Sequence, residues 1–262
     1  MSTFPARVTL GRTQLTVGPL GVSGGYGVDE GALLSAFDRG VNYWYHGSFR
    51  RSGMTAAIRT LAATGRRDRL VLVLQSYSRW GWLMERTFTA GLRSLGTDYA
   101  DVLLLGLFND SPPDSVLESA ERLKERGLVR HIAISAHHRP IFVQYAKDPR
   151  YGILHVRYNA AHPGAEQDVF PHLAATDRPG IVAYTATCWG RLLQKSRMPD
   201  AQAPLRGRDC YRFVLTNPNF NVCMMGPRNA TELEEGLAAL DEGPLTKDEE
   251  ARFRAIGRHV HG

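Results

Sequence analysis

The sequence predicts a (β/α)8 barrel, a ring of eight parallel strands each followed by a helical segment. Three observations predict it. Eight short apolar, β-branched runs recur along the chain. Helix-patterned segments lie between many of them, and the 262 residues match the length of about 250 that a single barrel occupies. The whole chain, residues 1–262, therefore reads as one domain.

The strand candidates, in order, are 17–24 (VGPLGVSG), 41–46 (VNYWYH), 70–75 (LVLVLQ), 101–107 (DVLLLGL), 131–135 (HIAIS), 153–158 (ILHVRY), 180–185 (GIVAYT) and 221–226 (NVCMMG). Several are near-continuous apolar runs, the pattern of strands covered on both faces as in a parallel sheet. Between them, residues 29–40 open with acids and close on Gly40, a helix stop signal. Residues 83–96 place Leu83, Phe88, Leu92 and Leu95 at helical spacing before Gly96. Residues 114–127 follow Pro112 and Pro113, start with a capping Asp or Ser, and stop at Gly127. Residues 230–243 and 246–260 carry acids early, where the helix dipole favours them. An open doubly wound sheet is the competing architecture, but GVSGGYG (21–27) lacks the GxGxxG spacing and reads as a tight strand-to-helix loop. Residues 195–208 are the most irregular stretch and are expected to form a mobile surface loop.

Composition excludes several classes. Apolar residues make up 43% and charged residues 22%, near the globular norm, so the chain is not a disordered one. Thirty-two Lys and Arg against 26 Asp and Glu give a net charge of +6. That balance suits an anionic small molecule; no basic run is clustered enough for nucleic acid. Three cysteines, Cys188, Cys210 and Cys223, lack CxxC spacing, which argues against a disulfide framework or zinc site. No stretch approaches the roughly 20 apolar residues of a membrane span. The first residues lack the order of a signal peptide, so a cytoplasmic location is expected.

Seven blocks in register carry a resemblance: LGRTQLTVGPLGVSG, AFDRGVNYWY, LRSLGTDYADVLLL, LKERGLVRHIAIS, VRYNAAH, IVAYTATCWGRLL and RFVLTNPNFNVCMMGPRNATELEEGL. The chain resembles the aldo-keto reductases over roughly residues 7–260. The resemblance implies a barrel opened by a hairpin, and carbonyl reduction with a nicotinamide cofactor. It also implies a proton-donating Tyr helped by a Lys and a His, with an Asp pairing the Lys. A nearby ammonium favours the ionised form of a phenol whose ordinary pKa is about 10. In this chain Tyr45 stands where the resemblance expects the Asp, Arg50 beside Phe49 where it expects the Tyr, Gln75 for the Lys and Gly106 for the His. The usual reductase machinery is thus not expected.

The cofactor positions fare better. The resemblance implies that Ser135 contacts the carboxamide, with Ala136 in place of an Asn and His155 in place of a Gln. Tyr184 matches the aromatic that stacks on the nicotinamide, and Thr185, Thr187 and Gly190 match the pyrophosphate loop. Gly226 and Arg228 match the surroundings of the adenosine 2′-phosphate, at a helix start suited to anions. Glu232, Glu235 and Gly236 replace the Gln, Glu and Asn of the adenine end. NADP(H) binding is therefore one expectation. Retention of these residues for packing alone is the other.

In such a barrel the chemistry sits at the carboxyl ends of the strands. Those ends offer Tyr45 and His46, Gln75 to Tyr77, Asn109, His137 and His138, Arg157 to Asn159, His162 and Tyr184, a lining poor in carboxylates. His46 is the candidate general acid or base, with Tyr45 beside it; hydrogen bonding to a neighbouring loop is its bland alternative. His137, His138, His155 and His162 lack HxH or HxxxH spacing, so no metal site is expected. Cys188 has no base adjacent in sequence and is taken as inert. Arg79, Trp80 and Trp82 either stack on a planar ligand or form a lid. Three functions remain open: an NADP(H)-linked enzyme on a small carbonyl compound, a cofactor-independent isomerase, lyase or cyclase, and a non-catalytic pseudoenzyme that binds a partner. The substrate and the oligomeric state stay unassigned.

Overall fold

The computed structural model describes residues 3–47, 49–199 and 202–261. A two-stranded antiparallel hairpin, β1 (Val8–Thr9) and β2 (Thr16–Val17), precedes the barrel. The barrel strands are β3 (Leu20–Ser23), β4 (Tyr43–Tyr45), β5 (Val71–Ser76), β6 (Ala100–Leu105), β7 (Val129–Ser135), β8 (Tyr151–Arg157), β9 (Gly180–Tyr184) and β10 (Val222–Met225). All neighbours pair in parallel, and β10 joins both β9 and β3, closing the ring.

Side chains alternate across each strand. One set fills the barrel axis: Tyr43, Val73, Leu104, Ala133, Ile153 and Val182 belong to this interior cluster, and Leu10 and Val17 of the hairpin join it from below. The other set, including Trp44, Leu72, Leu103 and Ile134, packs outward against the helices. This double burial explains why the strands read as unbroken apolar runs.

The helices are α1 (Glu30–Asp38), α2 (Ser52–Ala63), α3 (Gly81–Leu95), α4 (Asp114–Glu125), α5 (Ile141–Lys147), α6 (Ala165–Asp168), α7 (Gly207–Thr216), α8 (Ala230–Glu242) and α9 (Lys247–His261). Asp29 caps α1 by accepting from Ala32 N, and Asn229 caps α8 by accepting from Glu232 N. Gly96 ends α3 in the left-handed region, as its sequence signal implies. At α4 the cap position falls on Pro113, with no side-chain hydrogen bond, so the expected Asp or Ser cap does not form. Asp114 instead sits in the first turn, where the dipole favours it. The sequence pattern does not mark helices α2, α5, α6 and α7. The buried stripe of α2, Met54, Ala57, Ile58 and Leu61, has helical spacing but is diluted by small and polar neighbours. The irregular stretch 195–208 contains a short 3-10 turn at Lys195–Arg197 and the start of α7; residues 200 and 201 lie outside the described residues.

One polar network ties the strand starts. Asp101, 1% exposed, accepts from Arg67 Nη1 (2.9 Å), Leu72 N (2.9 Å) and Arg130 Nη1 (3.1 Å). Arg12 holds the hairpin by donating to the carbonyls of Ala146, Asp148 and Asp177. Among the described residues, no helix is long and apolar enough to cross a membrane.

Candidate active site

The alternation that fills the axis also fixes what faces the mouth. Continuing the inward parity to the carboxyl end of each strand gives Ser23, Tyr45, Gln75, Gly106, Ser135, Arg157, Tyr184 and Gly226. These eight positions hold two phenols, one amide, one guanidinium, two hydroxyls and two glycines, with neither a lysine nor a carboxylate.

Tyr45 and Gln75 meet directly: the phenol donates to Gln75 Oε1. Burial, with the neighbouring phenols of Tyr77 and Tyr26, pushes the Tyr45 pKa upward, so it stays protonated. Gln75 in turn lies over Gly106, where a Cβ would sit 1.9 Å from Gln75 Nε2. The two positions at which the family resemblance expects Lys and His are thus packed into one another.

His46 has the opposite parity. It is 5% exposed, and Nε2 lies 2.9 Å from Thr55 Oγ1 on α2. Burial, then the Arg51 charge, lowers its pKa to about 4, so the ring is neutral at pH 7. The partner stands on a helix and not on the neighbouring loop of the bland alternative, and geometry gives His46 no part at the mouth. His155 points inward one layer deeper, hydrogen-bonded through Nε2 to Tyr43 Oη at 2.8 Å. It is 4% exposed and burial lowers its pKa to about 3. A ligand at the mouth meets Ser135 and Tyr184 above it.

Ser135 is buried, its hydroxyl making one long contact of 3.5 Å to the Leu105 carbonyl. Tyr184 donates to the carbonyl of Ala136 at 3.2 Å, and burial raises its pKa to about 12. The loop after β9 is strained: Thr185, Cys188 and Trp189 all have positive φ, as does Gly190. Thr187 Oγ1 accepts from Gly190 N (3.2 Å), Thr185 Oγ1 donates to the Tyr184 carbonyl (2.7 Å), and Asn159 Nδ2 holds the Thr185 carbonyl at 2.8 Å. Strain of this kind persists where the surroundings over-determine it, frequently at ligand sites.

At the start of α8, Arg228 Nε and NH2 and its own backbone N–H all converge on the Glu232 carboxylate, at 2.6–2.9 Å. Glu235 faces elsewhere, accepting from Arg208 N at the start of α7. Thus Arg228 and Glu232 meet, whereas Glu235 is separate from them. The ring of Tyr26 covers Gly226, and a Cβ there would lie 2.7 Å from Tyr26 Cε2. Tyr26 was not anticipated; nothing in its local sequence signals a packing partner two hundred residues away.

His162 Nδ1 is 3.1 Å from Asn159 Oδ1 and 3.7 Å from Cys188 Sγ. Burial raises the thiol pKa of Cys188 and lowers that of His162 to about 4. The neighbour absent from local sequence is therefore supplied by the fold, but its near nitrogen is engaged by Asn159 and does not serve as a base. Among the described residues, no three His, Cys, Asp or Glu side chains gather as a metal site. A cavity of about 320 Å³ lined by Tyr158, Glu166, Asn217 and Arg254 lies away from the mouth, on the outward side of β8. Its polar groups are paired: Tyr158 donates to Glu166, which also binds Arg254.

The sequence model of the Aldo/keto reductase family matches residues 73–209, more than half of the chain and across most of this mouth. The chain belongs to the aldo/keto reductase family. Among solved structures it is similar to aldo-keto reductase AKR11C1 from Bacillus halodurans in its holo form, with a TM-score of 0.76, 20% identity and 95% of both chains covered. The apo form of the same protein gives 0.74 at 20% identity, again over 95% of both chains. These likenesses establish the barrel. No curated protein matches the sequence. Family membership gives this mouth an aldo-keto-reductase-like function, and the arrangement of its groups sets how that function is exercised.

Proposed function

We propose that this protein binds NADP(H) across the barrel mouth and acts on a carbonyl compound without the family's usual proton relay. The observation that carries the reading is the donor set at Arg228. Two guanidinium nitrogens and a backbone N–H at a helix start already hold an anion, the Glu232 carboxylate. The same donors suit a phosphate, by charge and by bidentate geometry. Arg228 and its backbone N–H would hold a 2′-phosphate in place of the Glu232 carboxylate. Ser135 and Tyr184 supply hydroxyls toward the nicotinamide end, and the Thr185, Thr187 and Gly190 loop lies along the path between. Bound there, the dinucleotide supplies or accepts a hydride.

The chain's own contribution at the reacting carbonyl is a hydrogen bond. Tyr45 keeps its proton, so it orients and polarises an oxygen by donating to it and does not serve as a base. Gln75 Oε1 holds the phenol in the absence of a ligand. The lack of a lysine and a carboxylate among the eight mouth positions supports slower chemistry than an ammonium-tuned phenol delivers. Three free, buried cysteines fit a reducing compartment such as the cytoplasm.

Titration with NADPH, followed by cofactor fluorescence, tests the reading. A saturable change, weakened in Arg228→Ala for NADPH more than for NADH, is expected. A flat titration overturns it. A second reading, ligand binding without hydride transfer, is favoured by the saturation of Arg228 by Glu232; a flat NADPH titration together with binding of a small ligand at the mouth selects it.

A further inference from the structure

Arg157 is the one guanidinium among the eight inward mouth positions, and it makes no hydrogen bond or ion pair among the described residues. Three other arginines near the mouth are paired: Arg228 with Glu232, Arg139 with Asp168, and Arg79 with three backbone carbonyls. Its neighbours are aromatic. Its guanidinium carbon is 5.9 Å from the Trp189 ring centroid, and Tyr184 stands beside it in register on β9. Tyr77 lies across the mouth, 3.1 Å from where a Cβ on Gly106 would be, and more than half exposed.

The wider surface repeats the pattern. All seven exposed large apolar side chains among the described residues lie on loops that follow barrel strands, or in the first turn of the helix after one. Those loops also carry Arg50, Arg51, Arg79, Arg191, Lys195 and Arg197 beside Asp29 and Asp110, while their Arg139, Arg206 and Arg228 are paired with Asp168, Asp209 and Glu232 of the helices. A cationic excess and apolar rings therefore share this end of the barrel. Such a field draws anions to the mouth. The phenols and indole offer π-faces but no counter-charge, so the guanidinium pairs with a ligand's charge and the rings with a ligand's flat face.

We propose that the ligand of this mouth is a planar, conjugated carboxylate, with its carboxylate on Arg157 and its ring face on the aromatic wall that includes Tyr77, Tyr184 and Trp189. The inference rests on the reading of the mouth as the reacting end and names the anchoring group of its carbonyl substrate; the carboxylate on Arg157 is the anchor and not the carbonyl that exchanges hydride. A saturated acid forfeits the ring contacts; a neutral arene forfeits the charge-assisted bonds.

Calorimetric titration with three probes tests this: 2-naphthoate, its saturated analogue decahydro-2-naphthoate, and the neutral 2-naphthamide. We expect 2-naphthoate to bind about tenfold or more tightly than either, the scale of a charge-assisted bond or an aromatic contact. Arg157→Gln is expected to bring 2-naphthoate down to the level of 2-naphthamide, and Trp189→Leu to narrow its advantage over the saturated acid. Neither substitution removes an intramolecular polar bond, and unchanged circular dichroism and melting temperature are the folding check. Equal affinity for the three probes, absence of naphthoate binding, or an Arg157→Gln protein that binds naphthoate as before overturns the proposal. NADPH titrated in parallel separates the two ideas. Saturable NADPH binding without naphthoate binding sinks this inference alone, and naphthoate binding with a flat NADPH titration sinks the nucleotide reading alone.

Discussion

The amide of Gln75 occupies the space in which residue 106 would carry its Cβ, 1.9 Å from that point. The two residues are therefore coupled, and Tyr45 is coupled to both through its bond to Gln75 Oε1. Gly106→Ala is expected to push the Gln75 side chain aside and cost about 1 kcal/mol, the net worth of one hydrogen bond. Because the displaced group is the far end of a flexible side chain, the cost stays small. Adding Gln75→Ala should make the Gly106→Ala step nearly neutral. Urea denaturation of the four proteins in a double-mutant cycle measures the coupling, and additive effects would refute the contact.

Tyr45→Phe removes the only donor that the mouth offers from β4. We expect carbonyl turnover to fall about tenfold or more, since one preorganised hydrogen-bond donor to a developing oxyanion contributes up to about 10²–10³-fold. Stability should change by about 1 kcal/mol or less. Steady-state kinetics on a carbonyl substrate, set against thermal melting, separates these effects. Full turnover in Tyr45→Phe removes this residue from the chemistry.

His46→Ala gives the contrasting pattern. The ring is buried between β4 and α2, so its loss should cost about 2–3 kcal/mol through an emptied volume and an unpaired Thr55. Ligand affinity at the mouth should be unchanged. A variant that keeps its stability but loses turnover would restore His46 to the active site.

Acid should weaken the fold through His46 and His155. Both have folded-state pKa values depressed from 6.5 by burial, to about 4 and about 3. The unfolded chain takes up their protons near pH 6.5, whereas the folded protein resists. Their contribution is complete above pH 6.5 and is lost progressively as pH falls toward 4 and then 3, with a slope of up to about 1.4 kcal/mol per pH unit for each ring. Urea midpoints measured from pH 7.5 to pH 4 should fall steadily below 6.5. His46→Gln should flatten that slope, and a pH-independent midpoint would contradict the assignment.

Asp101→Ala should be the most damaging of these changes. It leaves Arg67, only 10% exposed at its side chain, facing an empty acceptor site at the start of β6. A loss of about 3–5 kcal/mol is expected from breaking a buried pair by removal of one partner. Chemical denaturation reads it directly, and a loss under about 1 kcal/mol would mean the network is dispensable.

Much of this molecule is local and therefore legible in the chain. Strands covered on both faces need apolar side chains at every position, so eight such runs point to the barrel, and seven sequence blocks in register carry the family resemblance. The Arg228–Glu232 pair, four residues apart across the start of α8, is of the same local kind. The alternation on β4 also places Tyr45 and His46 on opposite faces.

Only ring closure decided which of those faces looks along the axis. Closure also joined residues that local pattern does not relate: Tyr43 with His155, 112 positions away, and Tyr45 with Gln75, 30 away. It set Gln75 over Gly106, laid Tyr26 across Gly226, and left the Arg157 guanidinium without a polar partner among the described residues. Alternation is a property of one strand, but a polar side chain at a barrel mouth takes its partner from another strand. Its chemistry is fixed by which strands become neighbours across the axis, and that is a property of the closed ring.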